Sequence, residues 1–356
     1  MNELLTNAKD MKKAILQRIR THLLHIENAT KAEISESLGL SFPTVSKFLK
    51  LMEEDGEVFP AGVDRSSGGR RAMRYQYNPD YKLGLAIFLE KNATNYAVYN
   101  CLGQLKEQGT MASLLSADVT NAAKTIENLI KKHPKLGSIA VGVPGSVKNG
   151  EIIYIPNYEQ FRTVDLKHDF EQQFAIPVIV ENDMNAAVLG YTRKNNLSNK
   201  VTIVYLYLGQ NGPGAGIVVN GEVIRGSSFF SGEIQFTPLY DHLNFGEALE
   251  KRDSGTSDHA TADKQKTVDA ISRMVATFAV MLNPNAIIFN ADEIDRSMLL
   301  QIRTKSAEYV PEEHLPELIV SDWIQDYLYG LQSLGLNLIV SETTIPDNNE
   351  GAQYEN

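Results

Sequence analysis

Basic and hydroxyl side chains near the N-terminus have the types and spacing that suit contact with nucleic acid. Small hydroxyl side chains can approach base edges in the major groove of DNA, whereas lysine and arginine bind phosphates. A second basic group lies in a glycine-containing loop, whose backbone can lie flat while its arginines reach a narrow groove. The candidate DNA-contacting residues are Ser41, Phe42, Thr44, Ser46, Lys47, Lys50, Arg65, Ser67, Arg70 and Arg71.

Three predicted helices and a predicted hairpin would position these side chains. Apolar residues at every fourth position predict a first helix over residues 8–26. Thr30, with a glutamate three residues later, is typical of a capping box that begins a short second helix, and Ser41 would cap a third. Strands at 57–61 and 73–77, on either side of the glycine-arginine loop, complete the pattern of a winged helix-turn-helix.

The remainder of the chain alternates strands and helices from Gly84 onward. Paired strands at 85–89 and 96–102 precede a helix at 119–132 and a buried strand at 138–143. This β–β–α–β order predicts an α/β fold with mixed sheets. Further strands are predicted at 178–180, 201–208, 216–223 and 286–289, and a long helix at 266–282.

Length, charge and cysteine content narrow the class of protein. The 356 residues suffice for two or three domains, and no apolar run approaches the roughly 18 residues that cross a bilayer. Residues 1–82 contain 13 lysines and arginines against 11 acidic residues, whereas the rest contains 21 against 33. This asymmetry favours a nucleic-acid-binding head on an acidic body. Cys101 is the only cysteine, and the N-terminus lacks a signal peptide, so we expect a cytoplasmic protein.

Four motifs in the body resemble those of a known family. They are Val141-Gly-Val-Pro-Gly145, Ile155-Pro-Asn157, Val180-Glu-Asn-Asp-Met-Asn-Ala-Ala187 and Gly232-Glu-Ile234. Together they resemble the ROK family (repressors, open reading frames and sugar kinases), whose members have an actin-like ATPase fold. The resemblance runs from about residue 15 to about residue 339, and the Ser-Gly-Gly-Arg-Arg sequence of the wing is similar to the repressor branch.

The resemblance implies an effector site. Asn157, Asn182, Asp183 and Glu233 match family positions that hydrogen-bond sugar hydroxyls, and Asp183 matches the kinase base. A polyol needs several acceptors, and a carboxylate accepts without donating. Alternatively, Asn182 and Asp183 cap the helix that follows them, a role that can coexist with binding.

The resemblance also implies that three nucleotide-binding elements have been lost. Where family kinases have Gly-x-Asp-x-Gly-Gly-Thr, residues 84–90 place Ala86 at the aspartate position and Glu90 where phosphates should lie. The second phosphate loop, at 209–216, is one residue longer and lacks its threonine, and the adenosine-side glycine pair is absent near 289–292. Because phosphoryl transfer depends on positioning and charge neutralisation, we expect no catalytic residues, no cofactor and no kinase activity.

The family's zinc site is missing by the same comparison. Phe236 stands where many members have a histidine, and Cys101 lies far away along the chain. His242 and His259 are too few for a structural zinc, which takes about four nitrogen or sulfur ligands. We therefore expect no metal, and Phe236 would make the neighbouring pocket more apolar.

These observations predict a winged helix-turn-helix followed by a two-lobed actin-like ATPase (ribonuclease H-like) domain of the α/β class. We assign residues 1–80 to the DNA-binding domain and 81–183 to a first lobe, which a C-terminal helix at about 323–340 completes. Residues 184–322 form a second lobe with a dimer interface, and 342–356 a disordered tail.

The expected function is that of a sugar-responsive transcriptional repressor of carbohydrate-metabolism genes. Its partners would be double-stranded operator DNA, a small sugar or sugar-phosphate effector and a second copy of the chain, in a homodimer or larger homo-oligomer, with no membrane partner. Ligand bound between the lobes would change the lobe angle and the spacing of the two heads. Two alternatives remain open: an active sugar kinase with a fused DNA-binding head, and a regulator whose body serves only for dimerisation.

Overall fold

The computed structural model describes residues 8–64, 71–91, 93–115, 119–156, 158–162, 164–209, 212–250 and 257–341. The tail predicted at 342–356 lies outside these ranges. Within them, no helix is long and apolar enough to pass through a bilayer.

The N-terminal head consists of three helices and a small antiparallel sheet. Its elements are α1 (Ala8–His25), β1 (Ala29–Thr30), α2 (Lys31–Leu38), α3 (Phe42–Glu54), β2 (Val58–Val63) and β3 (Met73–Tyr77). The Thr30 hydroxyl accepts a hydrogen bond from the Glu33 N–H, and the Glu33 carboxylate accepts one from the Thr30 N–H, so the predicted capping box is confirmed. Strands β2 and β3 form the predicted wing.

The first lobe of the body is built on a five-stranded sheet in the order β11-β7-β4-β5-β6. Strands β4, β7 and β11 are parallel, and β5 and β6 extend the sheet in antiparallel fashion. Its elements are β4 (Leu83–Leu89), β5 (Ala93–Asn100), β6 (Leu105–Ala112), α4 (Val119–Lys132), β7 (Leu136–Val143), β8 (Ser146–Lys148), β9 (Glu151–Tyr154), β10 (Val164–Asp165), α5 (Leu166–Phe174) and β11 (Val178–Asn182).

The second lobe repeats this plan with a sheet in the order β14-β13-β12-β17-β18. Its elements are α6 (Asp183–Lys194), β12 (Ile203–Tyr207), β13 (Gly214–Val219), β14 (Glu222–Val223), β15 (Pro238–Tyr240), β16 (Leu243–Asn244), α7 (Phe245–Glu250), α8 (Ser257–Leu282), β17 (Ala286–Asn290), α9 (Arg296–Ser306) and β18 (Glu317–Ser321). The C-terminal helix α10 (Trp323–Ser341) returns to pack on β4 and β7 of the first lobe. Asn220 and Gly221 both have positive φ, as the predicted hairpin turn requires.

Helices α6 and α10 lie between the two sheets and share one apolar core with both. The helices cross closely because Gly190 of α6 faces the backbone of α10, and Gly330 of α10 faces the backbone of α6. A Cβ atom at either glycine would overlap a carbonyl oxygen of the other helix.

The predicted helix at 119–132 is confirmed, and most predicted strands match within a few residues. Other predictions were incomplete. The strand predicted at 96–102 runs from Ala93 to Asn100, and the helix predicted at 266–282 begins at Ser257. Several elements were not predicted, among them α5, α9, β18 and the edge strand β6. Strand β6 lies at the sheet edge with alternate side chains exposed, so it lacks the apolar run that marks a buried strand.

Candidate functional site

A cleft with a cavity volume of about 70 Å³, open to solvent, lies between the two lobes of the body. It is placed where parallel strands β4, β7 and β11 end, which is the usual position of ligand sites in open α/β sheets. Its polar lining includes three of the four predicted effector residues: Asn182, Asp183 and Glu233. The fourth, Asn157, lies outside the described residues, although the preceding Pro156 lines the cleft.

Asn182 is held in place by hydrogen bonds at both ends of its amide. Its Oδ1 accepts from the Asn185 N–H at 2.8 Å, which caps α6, and its Nδ2 donates to the Gly145 carbonyl at 3.0 Å. The predicted capping role is therefore confirmed for Asn182. The amide also fastens the start of α6 to the loop that follows β7.

Asp183 occupies the first turn of α6 and faces the cleft. Its carboxylate accepts a hydrogen bond from the Met184 N–H at 2.7 Å. Desolvation raises the pKa of Asp183 to about 7, and the negative charges of Glu233 and Glu90 contribute in the same direction. The group can therefore exchange between an acceptor and a donor near neutral pH.

Glu233 and Glu90 complete a group of three carboxyls that line the cleft. Glu233 accepts from the Ser146 hydroxyl at 3.3 Å and from the Gln235 amide at 3.2 Å. Glu90 has a buried Oε1 with no hydrogen-bond partner in the described part of the chain. Burial raises the pKa of both groups. Such a site suits a neutral ligand with many hydroxyls, which can donate to carboxylates without bringing further charge.

The lining of the cleft also contains apolar and aromatic side chains. Leu89 lines it beside Glu90, and Ala86, at the aspartate position of the family motif, is fully buried in the sheet. Tyr207 and Trp323 line the cleft as well, and their rings stack with 4.3 Å between centroids and 5° between planes. The second phosphate loop includes residues 210–211, which lie outside the described ranges.

The region that would correspond to the family's zinc site is aromatic. Phe236 packs against Phe230 and Tyr154, and His242 is exposed. The described residues contain no group of three histidine, cysteine or acidic side chains arranged to hold a metal. The side chain of His259 lies outside the described part of the structure.

The candidate DNA-contacting face lies on α3, with Val45, Leu49 and Met52 buried in the head, as predicted. Phe42, Lys47 and Lys50 are exposed, whereas Thr44 and Ser46 are half-buried. The Ser41 hydroxyl accepts from the Thr44 N–H at 3.3 Å, so Ser41 caps the helix. The Lys50 Nζ atom also lies 3.6 Å from the Glu54 Oε1 atom, one turn further along the helix. On the wing, Arg71 is exposed, and Arg65, Ser67 and Arg70 lie outside the described residues.

Helix α10 connects the cleft to the head, a link that the sequence analysis missed. Trp323 lines the cleft at its first residue, and Ile339 is buried in the core of the head near its end. Arg20 of α1 donates to the Val340 carbonyl at 3.3 Å and forms a two-bond ion pair with Glu57, at 2.5 and 3.0 Å. The glycines at 330 and 335 within an apolar helix were the available signal, since glycine in a helix often marks close packing.

A winged helix-turn-helix head joined to a two-lobed actin-like body defines the class of this protein. The same arrangement is found in a solved ROK family transcriptional regulator, a homolog of the E. coli MLC protein, with a TM-score of 0.72 over 93% of this chain and 98% of that one. The two sequences are 17% identical, so this likeness shows the fold. The predicted fold class is confirmed.

Residues 106–246 match the model of the ROK family, so the predicted family resemblance is confirmed. The xylose repressor of Bacillus subtilis (strain 168) is 28% identical over 234 residues, which are 63% of this chain and 60% of the repressor. A glucokinase of Halalkalibacterium halodurans is 34% identical over 121 residues, 32% of this chain and 36% of the kinase. This chain thus spans less than two thirds of the length of these relatives.

Proposed function

We propose that this protein is a sugar-responsive transcriptional regulator that represses genes of carbohydrate metabolism and lacks kinase activity. It would act in the cytoplasm and bind operator DNA as a homodimer, because one recognition helix reads few base pairs and a two-fold operator supplies the rest. The observation that carries the proposal is α10, which lines the cleft at one end and enters the head at the other.

The coupling runs through two packed helices. With 19 residues, α10 is about 28 Å long, at roughly 1.5 Å per residue. A ligand that hydrogen-bonds Asp183 acts on the first turn of α6, and α6 crosses α10 at Gly190 and Gly330 without intervening side chains. Since Ile339 belongs to the head core, displacement of α10 would change the orientation of the head.

The lining of the cleft favours a sensor over a kinase. The Glu90 Oε1 atom, which is buried and has no hydrogen-bond partner among the described residues, would repel phosphate, and the stacked rings of Tyr207 and Trp323 line the same cleft. The kinase alternative is supported by the partial match to a glucokinase and by Asp183, whose pKa of about 7 suits a general base. The name of the Bacillus subtilis relative makes D-xylose the first effector to try.

The test is fluorescence anisotropy on DNA from the protein's own upstream region, at fixed salt, with and without D-xylose and a panel of sugars and sugar phosphates. Fixed salt matters because phosphate contacts make affinity fall steeply with ionic strength. We expect one sugar to change DNA affinity about tenfold, equivalent to about 1.4 kcal/mol of coupling.

Two variants locate the sensor. Asp183→Ala should bind DNA normally and lose the sugar response, whereas Asp241→Ala, which removes an exposed carboxylate outside the cleft lining, should respond like the wild type. An unchanged response in Asp183→Ala would refute the effector site. Sugar-dependent turnover in a coupled ATP assay would establish the kinase alternative instead.

A further inference from the structure

Two exposed aromatic side chains and a half-buried one form a cluster beside the cleft. We call Tyr154, Phe230 and Phe236 the aromatic platform. Their ring centroids are 6.4 Å apart for Tyr154–Phe230, 6.3 Å for Tyr154–Phe236 and 5.5 Å for Phe230–Phe236. Phe230 and Phe236 are 44% and 46% exposed. Grouped exposed aromatic rings with a polar rim are typical of a binding surface, whereas a single exposed ring needs no explanation.

The platform is continuous with the carboxyl-lined part of the cleft. One loop supplies both, since Ser231, Glu233 and Gln235 line the cleft while Phe230 and Phe236 flank them. The Glu233 N–H donates to the Phe230 carbonyl at 3.4 Å, and the Phe236 N–H donates to the Glu233 carbonyl at 3.3 Å. A ligand hydrogen-bonded to Glu233 would therefore have the aromatic platform as its next neighbour.

The loop is held in this conformation by its surroundings. Phe229 has a φ of 60°, in the left-handed region that a bulky residue rarely adopts, so its neighbours must compensate for the strain. Gly232 has a φ of 94°, and a Cβ atom there would overlap the Ala215 carbonyl oxygen. The adjacent Arg225 forms an ion pair with the buried Glu181. Backbone strain of this kind clusters at ligand sites.

We propose that the aromatic platform is a second carbohydrate-binding subsite, so that the effector is an oligosaccharide whose next ring stacks on Phe230 and Phe236. This inference rests on the proposed function, because the first ring would occupy the cleft beside Asp183 and Glu233. A sugar ring presents an apolar C–H face, which gains from burial and from contact with the electron-rich face of an aromatic ring.

The size of the platform favours a sugar ring over a protein partner. A stable interface between copies of the chain buries roughly 800 Å² on each partner. Three side chains, two of which are about half exposed, offer far less surface than that but can cover one face of a pyranose. Their position next to Glu233 also supplies hydroxyl acceptors at the edge of the stacked ring.

The experiment is isothermal titration calorimetry of the full chain with D-xylose, D-glucose and their β-1,4-linked dimers and trimers. We expect the preferred oligosaccharide to bind at least about tenfold more tightly than its monosaccharide. Phe236→Ala should bring the oligosaccharide to the affinity of the monosaccharide while monosaccharide binding stays unchanged. Phe59→Ala, which removes an exposed phenylalanine from strand β2, should retain the full difference.

Three other outcomes would overturn the proposal. Equal affinity for monosaccharide and oligosaccharide in the wild type would eliminate the second subsite and leave the proposed function intact. Binding of none of these sugars would eliminate both the subsite and the sugar-sensing function. If sedimentation shows a dimer for the wild type and a monomer for Phe236→Ala, and the sugar affinities are unchanged, the platform is an interface between copies of the chain. Phe236→Tyr, which retains an aromatic face, should keep the oligosaccharide preference and exclude a folding defect at this position.

Discussion

Substitution of Gly330 by alanine should uncouple the head from the cleft. A Cβ atom at this position would lie 2.6 Å from the Ala186 carbonyl carbon of α6, where ordinary contacts begin at 3.4 Å. Because both atoms belong to packed helices, α10 must move away from α6 by at least about 0.8 Å, and overpacking of this kind costs about 1–3 kcal/mol. The coupling free energy between two binding sites is typically about 1–3 kcal/mol, so the strain energy at Gly330→Ala is as large as the expected coupling between sugar and DNA binding.

The assay is DNA anisotropy at fixed salt with and without the effector. We expect the sugar-induced change in affinity to fall from about tenfold to less than about threefold, while the protein still binds DNA. Gly221→Ala is the matched control, since its φ is 81° and its Cβ would lie 2.7 Å from the Asn199 carbonyl oxygen, at the β13–β14 hairpin. If both variants lose thermal stability but Gly330→Ala keeps the full response, the contact between α6 and α10 does not carry the coupling.

Three further predictions concern pH, the head and DNA. The pKa of Asp183 is raised to about 7 in the native protein, so the native carboxyl keeps a proton that the unfolded chain loses from about pH 4. The free energy of unfolding of the wild type should therefore fall by up to about 4 kcal/mol between about pH 4 and 7.5, relative to that of Asp183→Asn. Urea unfolding measures this difference. Arg20→Met leaves the buried Glu57 carboxylate without its cation, although the Tyr77 hydroxyl still donates to it, and this should cost about 3–5 kcal/mol in the same assay. Lys47→Ala should weaken DNA binding similarly for all sequences and reduce the salt slope by about 1.

Each of these predictions has a contradicting result. Parallel pH profiles for wild type and Asp183→Asn would mean that Asp183 titrates normally in the folded protein. The double variant Arg20→Met/Glu57→Leu should recover much of the lost stability, and a further loss would show that the ion pair is not the cause. A Lys47→Ala salt slope equal to that of Lys200→Ala, an exposed lysine of the body, would place Lys47 away from the phosphates.

Local signals in the sequence predicted helix caps and one hairpin turn well. The capping box at Thr30, the cap at Ser41 and the hairpin turn at Asn220-Gly221 depend on neighbouring residues only, so propensity and spacing are sufficient to find them. Strand β6 was not predicted, because an exposed edge strand is defined by its pairing with the neighbouring strand of the sheet. Its side chains alternate at the surface without an apolar run.

The sequence predicted only those residues of the candidate site that belong to local motifs. The motifs singled out Asn182, Asp183 and Glu233, and the fold brings all three to one cleft. Trp323 and Tyr207 were not assigned to it, because they lie more than one hundred residues apart along the chain and their rings come into contact only in the folded protein. Nothing in a linear pattern indicates which face of an apolar helix will line a cavity.

The sequence by itself determined the class of head, the order of strands and helices and the loss of the phosphate-binding motifs, because each follows from residues close together along the chain. Only the tertiary structure decided that α10 joins the cleft to the head, and that a loop carrying Glu233 also carries an aromatic platform. The first feature depends on the close approach of α6 to α10 at two glycines. The second depends on the left-handed backbone conformation of Phe229. Such contacts are selected by packing between distant segments, which local propensity does not encode.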